Sequence, residues 1–248
     1  MKDNKKRNNY IPIIVISVVV NLLIIAAIII TFIIIKQSKN EPQIPNASST
    51  HRYSYDNDVL VNPPVAVKPI IYLYPNETTN VSIKLGRPKN ISCSYPKYTN
   101  GWTVEAQPNG ILKYLETDRE LYSLYYECSN FVDFKIEKDG FVVKSEDSSN
   151  FLEEKLATLG LNERESEEFI VYWLPKLEAN EYNYIRFATE EEIGSNMPLD
   201  INPNPDTLIR VLMVFKGLDD PIEVEDQQLI APERKGFVAV EWGGVDLN

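Results

Sequence analysis

Hydrophobic and polar positions follow three different rhythms along this chain. From Ile11 to Ile35 there is almost no alternation. Of those 25 residues, 19 are Ile, Val, Leu or Phe, none is charged, and only Ser17, Asn21 and Thr31 carry strongly hydrogen-bonding side chains. A helix rises about 1.5 Å per residue, so the run would extend roughly 37 Å and cross a hydrocarbon layer of about 30 Å with some tilt. At about 0.3–0.6 kcal/mol per large apolar residue, insertion is favoured by roughly 6–11 kcal/mol. A cleaved signal peptide has an apolar region of about 7–15 residues and a small-residue cleavage site. Here the run is longer and passes through Phe32-Ile33-Ile34-Ile35 into Lys36. The pattern predicts a retained single-pass transmembrane helix over 11–35, with the lipid bilayer as its partner and a tail over 1–10. Lys2, Lys5, Lys6 and Arg7 precede the span, against Lys36 and Lys39 after it. The positive-inside rule therefore puts the tail in the cytoplasm and the C-terminal domain outside the plasma membrane.

The second rhythm is polar and broken by proline. Residues 36–67 contain Pro42, Pro45, Pro63 and Pro64 among Asn, Ser and Thr. Such a segment buries too little apolar surface to offset its ordering entropy, and reads as a flexible linker.

From Lys68 the period shortens to two. Ile70–Tyr74, Val81–Leu85, Ile91–Tyr95, Trp102–Gln107, Leu121–Tyr126, Phe131–Ile136 and Phe141–Lys144 are expected strands, separated by Asn100-Gly101, Asn109-Gly110 and Asp139-Gly140 turns. Val81-Ser82-Ile83-Lys84-Leu85 alternates cleanly, predicting one buried and one wet face. Two helices follow. Asn150 with Glu153 opens the first, on a Leu152, Leu156, Leu159 stripe, and Gly160 closes it. Asn162 with Glu165 opens the second, and Pro175 is expected to kink or end it. Strands return at Tyr182–Phe187, Leu208–Phe215 and Gly236–Trp242. The fold class expected is an α+β, mainly antiparallel β, extracytoplasmic domain behind a single N-terminal transmembrane helix. A β-rich, sandwich-like lobe over 68–146 would precede an α+β lobe over 147–248.

Charge narrows the partners. The chain carries −11, of which residues 1–39 hold +5, leaving −16 on residues 40–248. So acidic a surface repels nucleic acid and leaves a protein or glycan ligand as the easier partner. Cys93 and Cys128 allow one disulfide in an oxidising compartment, closing a loop of about 35 residues that would contribute roughly 3–4 kcal/mol, or two buried free thiols.

Candidate chemistry is sparse. The single histidine, His51, lies in the linker, which removes Ser-His-Asp, Cys-His and histidine-zinc chemistry. No phosphate-cradling glycine loop is present, so no cofactor is expected. Asp200-Ile201-Asn202-Pro203-Asn204-Pro205-Asp206 imitates half a calcium loop, but Pro205 stands where the turn needs Gly and Val211 where a bidentate Glu is due, so no metal is expected either. Carboxylates beside aromatics remain. Glu127 after Tyr125-Tyr126, Glu168 before Tyr172-Trp173, and Glu241 beside Trp242 are the candidate acids for glycan chemistry. Tyr72, Tyr74, Tyr98 and Trp102 are the candidate aromatic binding surface.

Four segments stand out together. Lys68-Pro69-Ile70-Ile71-Tyr72-Leu73-Tyr74-Pro75 comes first, then Tyr95-Pro96-Lys97-Tyr98 with Asn100-Gly101-Trp102. Glu168-Phe169-Ile170-Val171-Tyr172-Trp173-Leu174-Pro175 and Val240-Glu241-Trp242-Gly243-Gly244 complete the set. With these in this order, residues 68–248 resemble an uncharacterised family of bacterial surface-associated proteins. The resemblance implies an intact folded unit and brings no catalytic role with it. The sequence therefore points to a membrane-anchored extracytoplasmic module for binding, adhesion or envelope organisation. The alternative is a carboxylate-dependent glycan-active enzyme.

Overall fold

The computed structural model describes residues 66–129, 134–230 and 232–248. The expected tail, the span over 11–35 and nearly all of the linker lie outside the described residues. Among the described residues no helix is long and apolar enough to cross a membrane.

The described residues belong to one compact unit. It begins with β1 (Ala66–Tyr74), β2 (Thr79–Leu85), β3 (Ile91–Tyr95), β4 (Trp102–Ala106), β5 (Leu112–Tyr114), β6 (Arg119–Leu121), β7 (Leu124–Cys128) and β8 (Asp139–Lys144). Two helices follow, α1 (Ser148–Thr158) and α2 (Glu163–Leu177), then β9 (Tyr182–Phe187) and a short α3 (Glu190–Asn196). The chain closes with β10 (Leu199–Asn202), β11 (Thr207–Leu218), β12 (Glu225–Asp226) and β13 (Val238–Asp246). The strands form an eight-stranded sheet, β12-β8-β9-β11-β13-β1-β7-β3, and a five-stranded sheet, β10-β2-β4-β5-β6. Pairing is mostly antiparallel, with β11–β13 and β12–β8 parallel. An α+β, β-rich fold is thus what the sequence forms.

Strand alternation sorts the core into two layers. On the central strands Ile71, Leu73, Leu212, Val214, Ala239 and Val245 face the five-stranded sheet, packing on Val81, Ile83, Trp102, Val104 and Leu112. Their neighbours Ile70, Tyr72, Ile209, Val211, Met213, Val240 and Trp242 face the helices, packing on Leu152, Leu156, Phe169 and Trp173. Burial on both faces explains why β11 and β13 read as near-continuous apolar runs. By contrast, Val81–Leu85 on β2 alternates as expected, with Val81, Ile83 and Leu85 buried.

The helix signals hold in part: α1 starts at Ser148, two residues before the expected cap, so Asn150 lies inside its first turn and Asp147 at the N-cap makes no side-chain cap hydrogen bond. Asn162 and Glu165 form a complete capping box, and Pro175 sits inside the last turns of α2, which runs on to Leu177. The expected division fails too: residues 68–146 and 147–248 are not separate lobes. β1 pairs with β13 and β2 with β10, so strands from both halves interleave in both sheets. The described part of the expected strand at 131–136, residues 134–136, has no regular structure.

Candidate functional site

The best-defined cluster of functional side chains grows from the start of β1. Lys68 takes φ +63°, a left-handed conformation rare for residues other than Gly, Asn or Asp, directly before Pro69. There β1 slips register against both neighbours, between Val67 and Ile70 facing β13 and between Ala66 and Ile70 facing β7. Such a kink costs about 1–3 kcal/mol and persists only where its surroundings impose it. Two glycines supply the room. A Cβ on Gly243 would stand 3.2 Å from the Pro69 backbone, and one on Gly244 would stand 2.5 Å from Cζ2 of Trp173. Lys68-Pro69, Trp173 and Trp242-Gly243-Gly244 therefore meet in one place.

The Lys68 ammonium lies 4.3 Å from the Tyr172 ring centroid and 5.8 Å from that of Trp242. Burial pulls this amine below the ordinary lysine range, and the nearby Glu168 charge opposes that pull. Glu168, on α2, accepts hydrogen bonds from the Tyr72 hydroxyl at 2.7 Å and from Arg164 Nε at 3.2 Å. Glu127, on β7, accepts one from the Tyr125 hydroxyl at 2.5 Å. Burial and the Glu127 charge both push the Tyr172 hydroxyl upward, and burial with the Glu127 hydrogen bond does the same to Tyr125. Of the candidate acids, Glu168 thus acts on Lys68 and Glu127 on Tyr172, the ring over which Lys68 lies.

Two tyrosine rings, one on β3 and one just before β7, are exposed. Tyr95 on β3 stands opposite Tyr125 and is 48% exposed, with Arg119 5.9 Å from its ring. Tyr122 is 46% exposed beneath Arg164, whose guanidinium carbon lies 4.2 Å from its ring centroid. These exposed rings, taken with Arg164, Glu168 and Tyr172 of α2, make up a candidate shelf. Among the described residues no group of His, Cys, Asp and Glu could hold a metal ion. Two open grooves lie elsewhere, about 420 Å³ beside β8 and α1 and about 470 Å³ beside α1 and α2, and neither is lined by a candidate acid.

Three sequence expectations are corrected here. Glu241 does not join the other two acids. Its neighbour Trp242 faces the helices, so strand alternation turns Glu241 towards the five-stranded sheet. There, 2% exposed, it accepts from the Tyr126 hydroxyl at 2.5 Å and from Arg210 Nε at 2.6 Å. Arg210 also donates to the Met197 carbonyl at 2.7 Å, closing a polar knot inside an apolar layer.

Tyr72, Tyr74, Tyr98 and Trp102 do not form one surface either. Tyr72 and Trp102 are fully buried on opposite sides of the central sheet. Tyr98 packs edge-on against Trp102, and Tyr74 is half-buried with Arg234 5.2 Å from its ring. Tyr95 and Tyr122 are the exposed rings instead.

Cys93 and Cys128 are both free, one exposed and one buried. Cys93 pairs across the ladder with Glu127, one residue short of Cys128, so the two thiols point to opposite faces. Burial and the Glu241 charge push the Cys128 thiol up to about 12.

Lys68, Arg164 and Tyr172 are site residues that pattern reading did not assign. The local signal for Lys68 is a lysine immediately before a proline at a strand entrance. Comparison of the chain with protein families, curated proteins and solved structures finds no match.

Proposed function

We propose that residues 66–248 form a non-enzymatic binding module of a single-pass surface protein, held at the plasma membrane by residues 11–35 with its N-terminus in the cytoplasm. Its ligand is a neutral or cationic saccharide of the cell envelope or surroundings. The observation that supports this reading is the shelf. Its exposed rings of Tyr95 and Tyr122 offer flat apolar faces, while Glu127, Glu168 and Lys68 hold hydrogen-bonding groups at its wall. Aromatic rings with polar rims suit ligands that are apolar on one side and hydroxylated on the other. An adhesive or envelope-organising role follows from the same contact.

The alternative is glycan hydrolysis by Glu127 and Glu168, favoured by the Glu127 charge at Tyr172 and the Glu168 charge at Lys68, which lies over the Tyr172 ring. Both acids already accept a tyrosine hydroxyl, which suits positioning more than proton transfer. The test is saccharide-array binding by the full chain in detergent, alongside a reducing-end release assay. Retention of specific saccharides without turnover, weakened about tenfold by Tyr95→Ala with Tyr122→Ala, supports the binding reading. Release of reducing ends that stops in Glu168→Gln would establish the enzyme instead. Absence of any binding, in a folded sample, would reject both.

A further inference from the structure

Charge is unevenly distributed over the unit. With +5 on residues 1–39 and −2 on residues 40–65, the overall −11 leaves −14 on residues 66–248. Yet between Glu77 and Glu105 there is no acidic residue, only Lys84, Arg87, Lys89 and Lys97. In sequence this basic stretch flanks β3, the terminal strand of the eight-stranded sheet, whose backbone pairs among the described residues with β7 alone. Lys89 and Lys97 stand at its two ends, both exposed, and neither has a carboxylate within ion-pair distance among the described residues. Arg119, also exposed, lies against Tyr95 and has no ion pair among the described residues.

Open sheet edges are normally guarded by charge, proline or a covering element. Ile91-Ser92-Cys93-Ser94-Tyr95 has neither charge nor proline, and its register slip lies at its start, between Ile91 and Cys93. Past the slip, Cys93–Tyr95 runs in regular register. An uncharged edge bracketed by free cations is the complement of an extended segment with an uncharged centre and acidic ends.

We infer that β3 takes up such an acidic peptide segment of a partner protein as an added antiparallel strand. Ladder hydrogen bonds to residues 93–95 would set the register, and Lys89 and Lys97 would pair with carboxylates at either end. Strand addition distinguishes this partner from an anionic polymer or lipid headgroup, which would use the cations and leave the backbone edge idle. A second copy of this chain is disfavoured by the same arithmetic. An antiparallel pair centred on Cys93 would set Lys89 directly against Lys97, and like charges in that position destabilise.

The test uses the full chain in detergent micelles and a fluorescein-labelled peptide with Glu at both ends of an alternating Val-Thr core, read by anisotropy. The expected result is saturable binding, weakened about tenfold in Lys89→Glu with Lys97→Glu. Binding should vanish when the peptide is N-methylated at alternate amides, which removes ladder donors and keeps the charge. Both lysines are exposed, so circular dichroism of the double variant should match wild type. Equal binding of the N-methylated peptide would overturn strand addition in favour of a charge-only surface. So would lysine-dependent binding to phosphatidylglycerol vesicles without peptide binding. Saccharide binding on the neighbouring shelf, scored separately, should survive the lysine reversals, so that reading and this one fail independently.

Discussion

Replacing Arg210 by Met should destabilise the unit more than most surface or core truncations. In the intact protein the Glu241 carboxylate, whose side chain is 3% exposed, shares its oxygens between the Arg210 guanidinium and the Tyr126 hydroxyl. Without Arg210, a charge remains between two sheets with one neutral donor. Breaking one side of a buried pair costs about 3–5 kcal/mol, because the partner stays buried and uncompensated. For a unit of this size that predicts a fall in Tm of about 6–20 °C, at 2–4 °C per kcal/mol. Removing the whole knot should behave differently. With Glu241→Leu and Tyr126→Phe added to Arg210→Met, no polar group is stranded, and stability should return to within about 1 kcal/mol of wild type or exceed it. The assay is urea denaturation of the detergent-solubilised chain by near-ultraviolet circular dichroism, with equal m-values as the check that one transition is compared. A single Arg210→Met variant losing less than about 1 kcal/mol would refute the reasoning. A triple variant as unstable as the single would do so too, by showing that volume rather than charge isolation matters there.

Three further outcomes are expected. Thiol titration of the folded chain should modify Cys93 and spare Cys128 until denaturant is added, and a non-reducing gel should show no intramolecular bridge, since the side chains face apart. Gly244→Ala should cost about 1–3 kcal/mol by overpacking against Trp173, with an altered near-ultraviolet tryptophan signal as the independent readout. Finally, burial pulls the Glu192 carboxyl upward. The bidentate Arg186 pair at 2.8 and 3.0 Å and the Thr189 cap outweigh that pull and hold it below its ordinary value of 4.5. A depressed folded carboxyl contributes stability above its unfolded value and loses it as pH falls through the folded one. Urea midpoints of wild type should therefore drop more steeply than those of Glu192→Gln below about pH 4.5, and parallel curves would refute the assignment.

Local chemistry was the legible part of the fold. Ile91–Tyr95 and Tyr182–Phe187 form strands over the expected residues, because β-branched and aromatic side chains there meet turn residues at both ends. The Asn162–Glu165 box is equally local. The α3 box, Thr189 with Glu192, has the same form, but three glutamates and Gly194 dilute the apolar stripe behind it and hide the helix.

What pattern reading could not reach was long-range. Nothing within Leu208–Phe215 states that it lies parallel to β13, or that both of its faces are covered. The site suffers the same way. Glu241 is spaced like a wet strand position, and only the second sheet makes it buried. Glu127 and Glu168 were visible as acids beside aromatic residues. That Glu168 of α2 meets Tyr72 of β1, and that Glu127 of β7 acts on Tyr172 of α2, are tertiary facts.

The placing of β13 carries a consequence for any shortened product of this chain. Every hydrogen bond between the β3-β7-β1 flank and the β11-β9-β8-β12 flank of the large sheet runs through this one ribbon, which begins at Val238. A stop codon just before it would leave two half-built sheets with raw edges facing each other. It would also strip Trp242 from the helices and Glu241 from Arg210 at one stroke. Such a truncation should be a substrate for quality-control proteolysis rather than a weakened version of the protein.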